Sequence, residues 1–366
     1  MTLRLGTRGS QLALFQANAV AALLKARAQV DAEIVIIKTT GDQLAEARLS
    51  QIGGKRLFVK EIEDALLEGE VDLAVHSSKD MPAVLPEGLD IGAVLPREDA
   101  RDAVILPLGR LKAAPTFEEG LTAAPAFEEG LTAAPTFEEG LTAAPTYEGD
   151  DALPPSAASV EDVVRALGRS PRIGTSSVRR SAQLTRLFPG ARFAPIRGNL
   201  DTRLRKLDAG EFNAIVLAAA GLKRLEHASR ISATLPVDAC VPAPGQGIIA
   251  VEIRRGDQRV QELVAQIGDS TSAAALVTER AVVRRLGGGC QMPIGAFAEI
   301  HDRSIRVRAI VIALDGSDCA HAEAEGSLDS PDDVGVRVAE ALLEQGAQDI
   351  IDAVQRAQAM VEGLQP

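Results

Sequence analysis

The chain has 366 residues, 46% hydrophobic but only 3% aromatic, and a formal net charge of −12. That length holds two or three domains with mainly aliphatic cores, and the acidic balance argues against general nucleic-acid binding. Three scattered cysteines exclude a disulfide framework, no His/Cys cluster suits a structural zinc ion, and no run approaches the roughly 18 apolar residues of a membrane span. The first residues form no apolar signal region, so the expectation is a soluble cytoplasmic protein.

In chain order, Gly6-Thr7-Arg8-Gly9-Ser10 follows a first strand, and Ser10 caps a helix with Leu14, Ala17, Ala21 and Leu24 on one face. Glu33 to Lys38 reads as a buried strand. A helix from Lys60 to Glu68 turns Ile62, Ala65 and Leu66 inward and stops at Gly69. Val71 to His76 and Asp102 to Leu106 read as further strands. Residues 113–150 are a tandem decamer, AAPTFEEGLT and its variants, with Pro and Gly in every unit. Such sequence cannot carry a long helix or strand and reads as a solvated insertion; a docking tail for a partner is the less favoured reading. Without its eight carboxylates the remainder of the chain carries −4 rather than −12.

Beyond the insertion, Asn199 caps a helix with Leu200, Leu204 and Leu207 inward and Gly210 at its end. Ala214 to Leu217 and Ile248 to Ile253 are strands. Alternating strands and helices predict doubly wound α/β domains. After about residue 269 the pattern changes to helix, loop, strands such as Ile305 to Leu314, and helices to the end, which predicts a smaller α+β domain. The expected division is 1–95 with 248–265 as a discontinuous first α/β domain, 101–241 as a second containing the 113–150 insertion, and 269–366 as the third.

Four segments carry chemistry. Arg172-Ile173-Gly174-Thr175-Ser176-Ser177-Val178-Arg179-Arg180 is a strand end, a glycine turn, three hydroxyls and two arginines opening a helix. Free N–H groups and forked guanidiniums at a helix start suit carboxylate or phosphate; the competing reading is a capped helix with a solvated basic face. Ligands of open α/β sheets sit beyond the carboxyl ends of strands, so Arg8, Arg179, Arg180, Arg197 and Arg203 are expected to converge on a ligand with several carboxylates. Val75-His76-Ser77-Ser78-Lys79-Asp80-Met81-Pro82 is a strand breaking into a polar loop. There Asp80 is placed to stabilise a cation or exchange a proton at nitrogen, or only to cap or to pair with Lys79. His76, within the strand, reads as structural. Finally, Gly287-Gly288-Gly289-Cys290-Gln291-Met292-Pro293 follows a helix bearing Leu276, Val283 and Leu286. Its thiol is a nucleophile, a metal ligand, an attachment point or a buried small hydrophobe.

VHSSKDMP, GTSSVRRSAQL, RGNLDTRLRKLDAGEFNAIVLAAAGLKRL, PAPGQG and GGGCQMPIG, in this order, resemble the porphobilinogen deaminase (hydroxymethylbilane synthase) family of tetrapyrrole biosynthesis. The resemblance spans nearly the whole chain except the insertion and the C-terminus. It implies two periplasmic-binding-like α/β domains around a cleft, and a small α+β domain whose cysteine, here Cys290, holds a dipyrromethane cofactor by a thioether. It implies a transferase that joins four porphobilinogens head to tail, releasing ammonia each time, and then hydrolyses off hydroxymethylbilane for heme and porphyrin synthesis. By motif position, Asp80 contacts pyrrole nitrogens and is catalytic. Ser77, Lys79, Thr175, Ser177, Arg179 and Arg180 hold the cofactor's carboxylates. Arg8, Ser10, Gln16, Arg197 and Arg203 hold the incoming ring or growing chain. Lys55 and Phe58 match a mobile loop, and Gln246 lies near the crossing between the α/β domains. No metal is implied; the expected partner is porphobilinogen alone, with no nucleic acid or membrane, bound by a monomer. The alternative is a non-catalytic two-domain anion or solute binder, which needs no Cys290 in a glycine loop and, when exported, carries a signal peptide.

Overall fold

The computed structural model describes residues 2–40, 59–109, 159–288 and 292–363. Lys55, Phe58, Cys290 and the 113–150 insertion lie outside the described residues.

Two five-stranded sheets share one plan. The first uses β1 (Thr2–Thr7), β2 (Asp31–Ile36), β3 (Leu73–Ser77), β4 (Leu89–Val94) and β10 (Ile249–Arg254), in the order β2-β1-β3-β10-β4. The second uses β5 (Asp102–Ile105), β6 (Arg172–Gly174), β7 (Arg192–Ala194), β8 (Ala214–Ala218) and β9 (Ala233–Thr234), in the order β7-β6-β8-β5-β9. In each, four strands run parallel and the strand at the fourth position, β10 in one and β5 in the other, runs antiparallel to them. The chain therefore crosses from the first sheet to the second between β4 and β5 and returns between β9 and β10. This is the expected periplasmic-binding-like pair of doubly wound α/β units.

Side-chain alternation explains why helices cover both faces. In the first sheet, Leu3, Leu5, Leu73 and Val75 pack on α1 (Gln11–Leu23), while Ala74 faces Ile62, Ala65 and Leu66 of α2 (Lys60–Leu67). In the second, Val104, Ala214 and Val216 face α3 (Val160–Leu167) and α4 (Val178–Leu187). Their neighbours Ala103, Ile105, Ile215 and Leu217 face α5 (Leu200–Asp208) and α6 (Ala219–Arg224).

Ser10 and Asn199 are N-caps, each side-chain oxygen accepting an N–H three residues on, from Ala13 and Thr202. The strand expected from Glu33 lies two residues earlier, at Asp31–Ile36, because its register is set by parallel pairing with β1. The stripe expected on α1 is also displaced: Val20 is buried and Ala21 only half-buried, and the helix closes in a π turn, Leu24–Ala28, with Leu24 inward.

After α7 (Gln258–Ala265), α8 (Ser270–Arg285) leads into the third unit. This is an antiparallel sheet of β11 (Ile294–His301), β12 (Ser304–Ile312) and β13 (Cys319–Ser327), with α9 (Pro331–Glu344) and α10 (Ala347–Gly363). Val282, Val338, Leu342 and Ile350 bury its face. The strand expected to reach Leu314 stops at Ile312, where Ala313 starts a turn closed by Gly316. Among the described residues, no helix is long and apolar enough to cross a membrane.

Candidate active site

Three chain segments meet at one pocket. The first leaves β3: Ser77 ends the strand, and Ser78–Asp80 form a single 3-10 turn. The second opens α4, where Ser177 is the N-cap and accepts from the Arg180 backbone N–H at 3.3 Å. The third is the start of β11. Ser78, Lys79, Met81, Ala83, Ser177, Arg179, Ala243, Pro244, Arg280, Val283, Met292 and Ile294 line the cavity. Its wall is therefore mixed, cationic at Lys79, Arg179 and Arg280 and apolar at Met81, Val283, Met292 and Ile294.

Asp80 is exposed at the end of its turn. No ion pair joins it to Lys79 among the described residues. Lys79 is half-buried, and its pKa falls to about 8, first because burial disfavours the ammonium and then through the field of Arg180. Arg203 donates from Nε to the Gly198 carbonyl at 2.9 Å. Burial and then Arg180 lower its pKa, with Asp80 opposing them. Lys79, Asp80, Arg179, Arg180 and Arg203 thus share one electrostatic neighbourhood.

Arg179 and Arg180 are buried, which removes the reading of a solvated basic face. Asp102, the first residue of β5, lies 2.8 Å from Arg179 Nη2 and 2.8 Å from Arg180 Nη2. Burial alone would raise the Asp102 pKa; the two guanidiniums outweigh it and hold the carboxyl well below the usual carboxylate range. Arg179 also donates to the Val241 carbonyl at 2.7 Å, and Arg180 to Gln246 Oε1 at 3.3 Å. Gln246 in turn donates to the Ala100 carbonyl at 2.6 Å, so it ties the two crossing segments together.

The remaining expected residues are not on that wall. Thr175 is buried, and its N–H pairs with the Ala194 carbonyl at 3.0 Å. Gln16 is buried on α1 and donates to Ser77 Oγ at 2.8 Å. Ser10 Oγ accepts from the Ala13 N–H at 3.3 Å, and Arg8 and Arg197 are half-buried beyond the carboxyl ends of β1 and β7. His76 Nε2 lies 3.1 Å from Glu252 Oε2, both buried inside the first sheet, so His76 is structural as expected.

Sequence reading missed three residues. Asp102 passed as the start of an apolar strand; a carboxylate opening the run Ala103-Val104-Ile105 was the available signal. Glu279 of α8 is fully buried and accepts from Arg97 Nη1 at 2.6 Å, from the Gly245 N–H at 2.7 Å and from the Ala298 N–H at 2.8 Å. It fastens the third unit to both crossing segments. Ser78 is buried with an Oγ that has no hydrogen-bond partner among the described residues. It packs so closely on Gly245 (φ +73°) that a Cβ there would lie 2.6 Å from the hydroxyl, so only glycine fits.

A profile for the porphobilinogen deaminase dipyromethane cofactor binding domain matches residues 3–125 and 136–262, and one for the porphobilinogen deaminase C-terminal domain matches residues 273–344. The first match omits only residues 126–135, the length of one decamer. The departure from the family is therefore narrower than the whole insertion. The chain is 41% identical over 357 residues to a porphobilinogen deaminase of Acidithiobacillus ferrooxidans, covering 97% of this chain and 99% of the relative. It is 40% identical over 362 residues to that of Moorella thermoacetica, covering 99% of each. Among solved structures it is similar to a Bordetella pertussis BvgS VFT2 domain, at 15% identity and a TM-score of 0.38 over 76% of this chain and 92% of that one. An ancestral arginine-binding protein matches at 14% identity and a TM-score of 0.34, over 73% and 90%. Family profiles over most of the chain, and relatives of about 40% identity along nearly all of it, place this chain in the porphobilinogen deaminase family.

Proposed function

We propose that the chain is a hydroxymethylbilane synthase, a transferase that condenses four porphobilinogens head to tail with loss of ammonia. The observation that carries this reading is the pocket between the two sheets and the third unit. It is cationic at Lys79, Arg179 and Arg280, apolar at Val283, Met292 and Ile294, and Met292 is two residues past Cys290 in sequence. A pyrrole bearing acetate and propionate arms needs that combination of surfaces. Two buried polar atoms without partners among the described residues, Arg179 Nε and Ser78 Oγ, belong to residues on its wall and support the fit to such a group.

In this reading a dipyrromethane, bound as a thioether to Cys290, supplies the nucleophilic pyrrole carbon. Ser77, Lys79, Thr175, Ser177, Arg179 and Arg180 hold its carboxylates. Arg8, Ser10, Gln16, Arg197 and Arg203 hold those of the incoming ring or growing chain, and Lys55 and Phe58 belong to the loop over the cleft. When the aminomethyl C–N bond of porphobilinogen breaks, ammonia leaves with the electron pair and positive charge spreads onto the ring nitrogen. The Asp80 carboxylate, in a neighbourhood otherwise rich in cations, is the group placed to stabilise that charge and to accept the ring N–H. Lys79 and Arg203 on either side hold carboxylate arms and keep the ring registered against it.

We divide the chain into 1–95 with 248–265, 101–241, and 269–366, and place the enzyme in the cytoplasm as a monomer without nucleic-acid partners. Net charge −12 and three scattered cysteines support that assignment. The test is incubation of the purified protein with porphobilinogen. Release of a linear four-ring bilane and ammonia is expected; stable binding without turnover would favour a solute binder.

A further inference from the structure

The mechanism above uses Arg179 and Arg180 but not the carboxylate between them. Consecutive helical residues project about 100° apart, so residues 179 and 180 at the start of α4 would not naturally serve one site. Asp102 draws them together. Its Oδ1 accepts from Arg180 Nε at 2.9 Å, and its Oδ2 lies 2.8 Å from Arg179 Nη2. Neutral donors complete the coordination: Gln246 Nε2 reaches Oδ1 at 2.8 Å, and the Cys240 thiol donates to Oδ2 at 3.3 Å. The carboxylate is therefore anchored from the return crossing at Gln246, from the segment before it at Cys240, and by its own strand β5.

The charges do not balance. Two guanidiniums, 4% and 7% exposed, share one carboxylate that is 0% exposed. Burying one uncompensated charge is costly unless a counter-charge arrives. Arg179, the residue that lines the pocket, retains a buried Nε with no partner among the described residues. The two guanidiniums thus carry one positive charge more than the carboxylate they share, and Arg179 is the member of the pair that lines the pocket.

We propose that Asp102 is a positioning residue for the reaction: it clamps Arg179 and Arg180 as a pair whose single surplus charge faces the primer pocket, where one ligand carboxylate completes the cluster. The clamp presents the guanidiniums already ordered, so binding does not have to immobilise them. This inference rests on the function proposed above.

The test is a double-mutant cycle read by intact mass. Wild type, Asp102→Asn, Arg179→Gln and the double variant are prepared without adduct, confirmed folded by gel filtration and circular dichroism, and incubated with porphobilinogen. The rate at which folded protein gains the two-pyrrole adduct is followed. Each single substitution is expected to slow loading by about tenfold or more, and the double variant to load about tenfold faster than the product of the two effects, because both damage one unit. Asp102→Glu, which keeps the charge, is expected to load faster than Asp102→Asn. Wild-type loading by Asp102→Asn, or single effects that multiply, would overturn the proposal. If Asp102→Asn does not fold, the double variant, which removes one charge of each sign, is compared with Arg179→Gln alone; a further tenfold loss would also overturn it. A wild type that never gains an adduct would bring down the functional reading instead.

Discussion

Gln16 of α1 donates its amide N–H to Ser77 Oγ of β3 at 2.8 Å, joining a residue assigned to the growing chain to one assigned to the primer. Ser77 Oγ also lies 3.2 Å from Gln16 Oε1, so the pair is held by both ends of one amide. In the proposed assignment the two sets of ligand contacts therefore meet at the carboxyl end of β3, where Asp80 follows within three residues. A reaction that adds rings one at a time to a tethered primer needs that contiguity.

In the proposed mechanism the central electrostatic role belongs to Asp80. Asp80→Asn keeps the shape and removes the charge that favours a cationic ring. Turnover is expected to fall by about 100- to 1000-fold with the adduct still attached. Steady-state bilane production and intact mass on the same preparation check this; a loss below about tenfold would remove Asp80 from that role.

Lys79 gives a pH dependence. Its ammonium is the form that holds a carboxylate, and with a pKa near 8 that form is present below about pH 8 and lost above it. Adduct loading of unloaded protein is expected to slow as pH rises through about 8, and Lys79→Arg, which keeps its charge, is expected to lose that decline. Ionisation of a cysteine nucleophile would act in the opposite direction, so the sign of the slope separates the two. A wild-type rate that only rises with pH would contradict the assignment.

The proposed assignment divides the arginines by role. Arg180→Leu is expected to impair adduct formation, since Arg180 sits on Asp102 and its field reaches Lys79. Arg197→Leu is expected to leave the adduct in place and slow elongation, so that partly extended complexes accumulate. Mass spectra after limited porphobilinogen distinguish the two; the same pattern in both variants would refute the division.

Much of this was legible in the sequence because local pattern fixes local structure. Ser10 and Asn199 signalled helix starts, and Val104 belonged to a short apolar run that only a sheet buries. What escaped were partnerships over long separations. Nothing near Asp102 shows that Arg179 and Arg180 lie against it, 77 and 78 residues on, and nothing near Glu279 shows the Gly245 N–H. The arginine pair was recognised as an anion site from its helix start. The first anion it meets belongs to the protein, a fact of tertiary packing that no local pattern encodes.

The most direct test of the account is the intact mass of the purified chain beside that of Cys290→Ala. The account predicts that wild type carries a covalent adduct of two pyrrole units, and that Cys290→Ala is folded, inactive and of bare polypeptide mass. An active Cys290→Ala protein that still bears the adduct would contradict it.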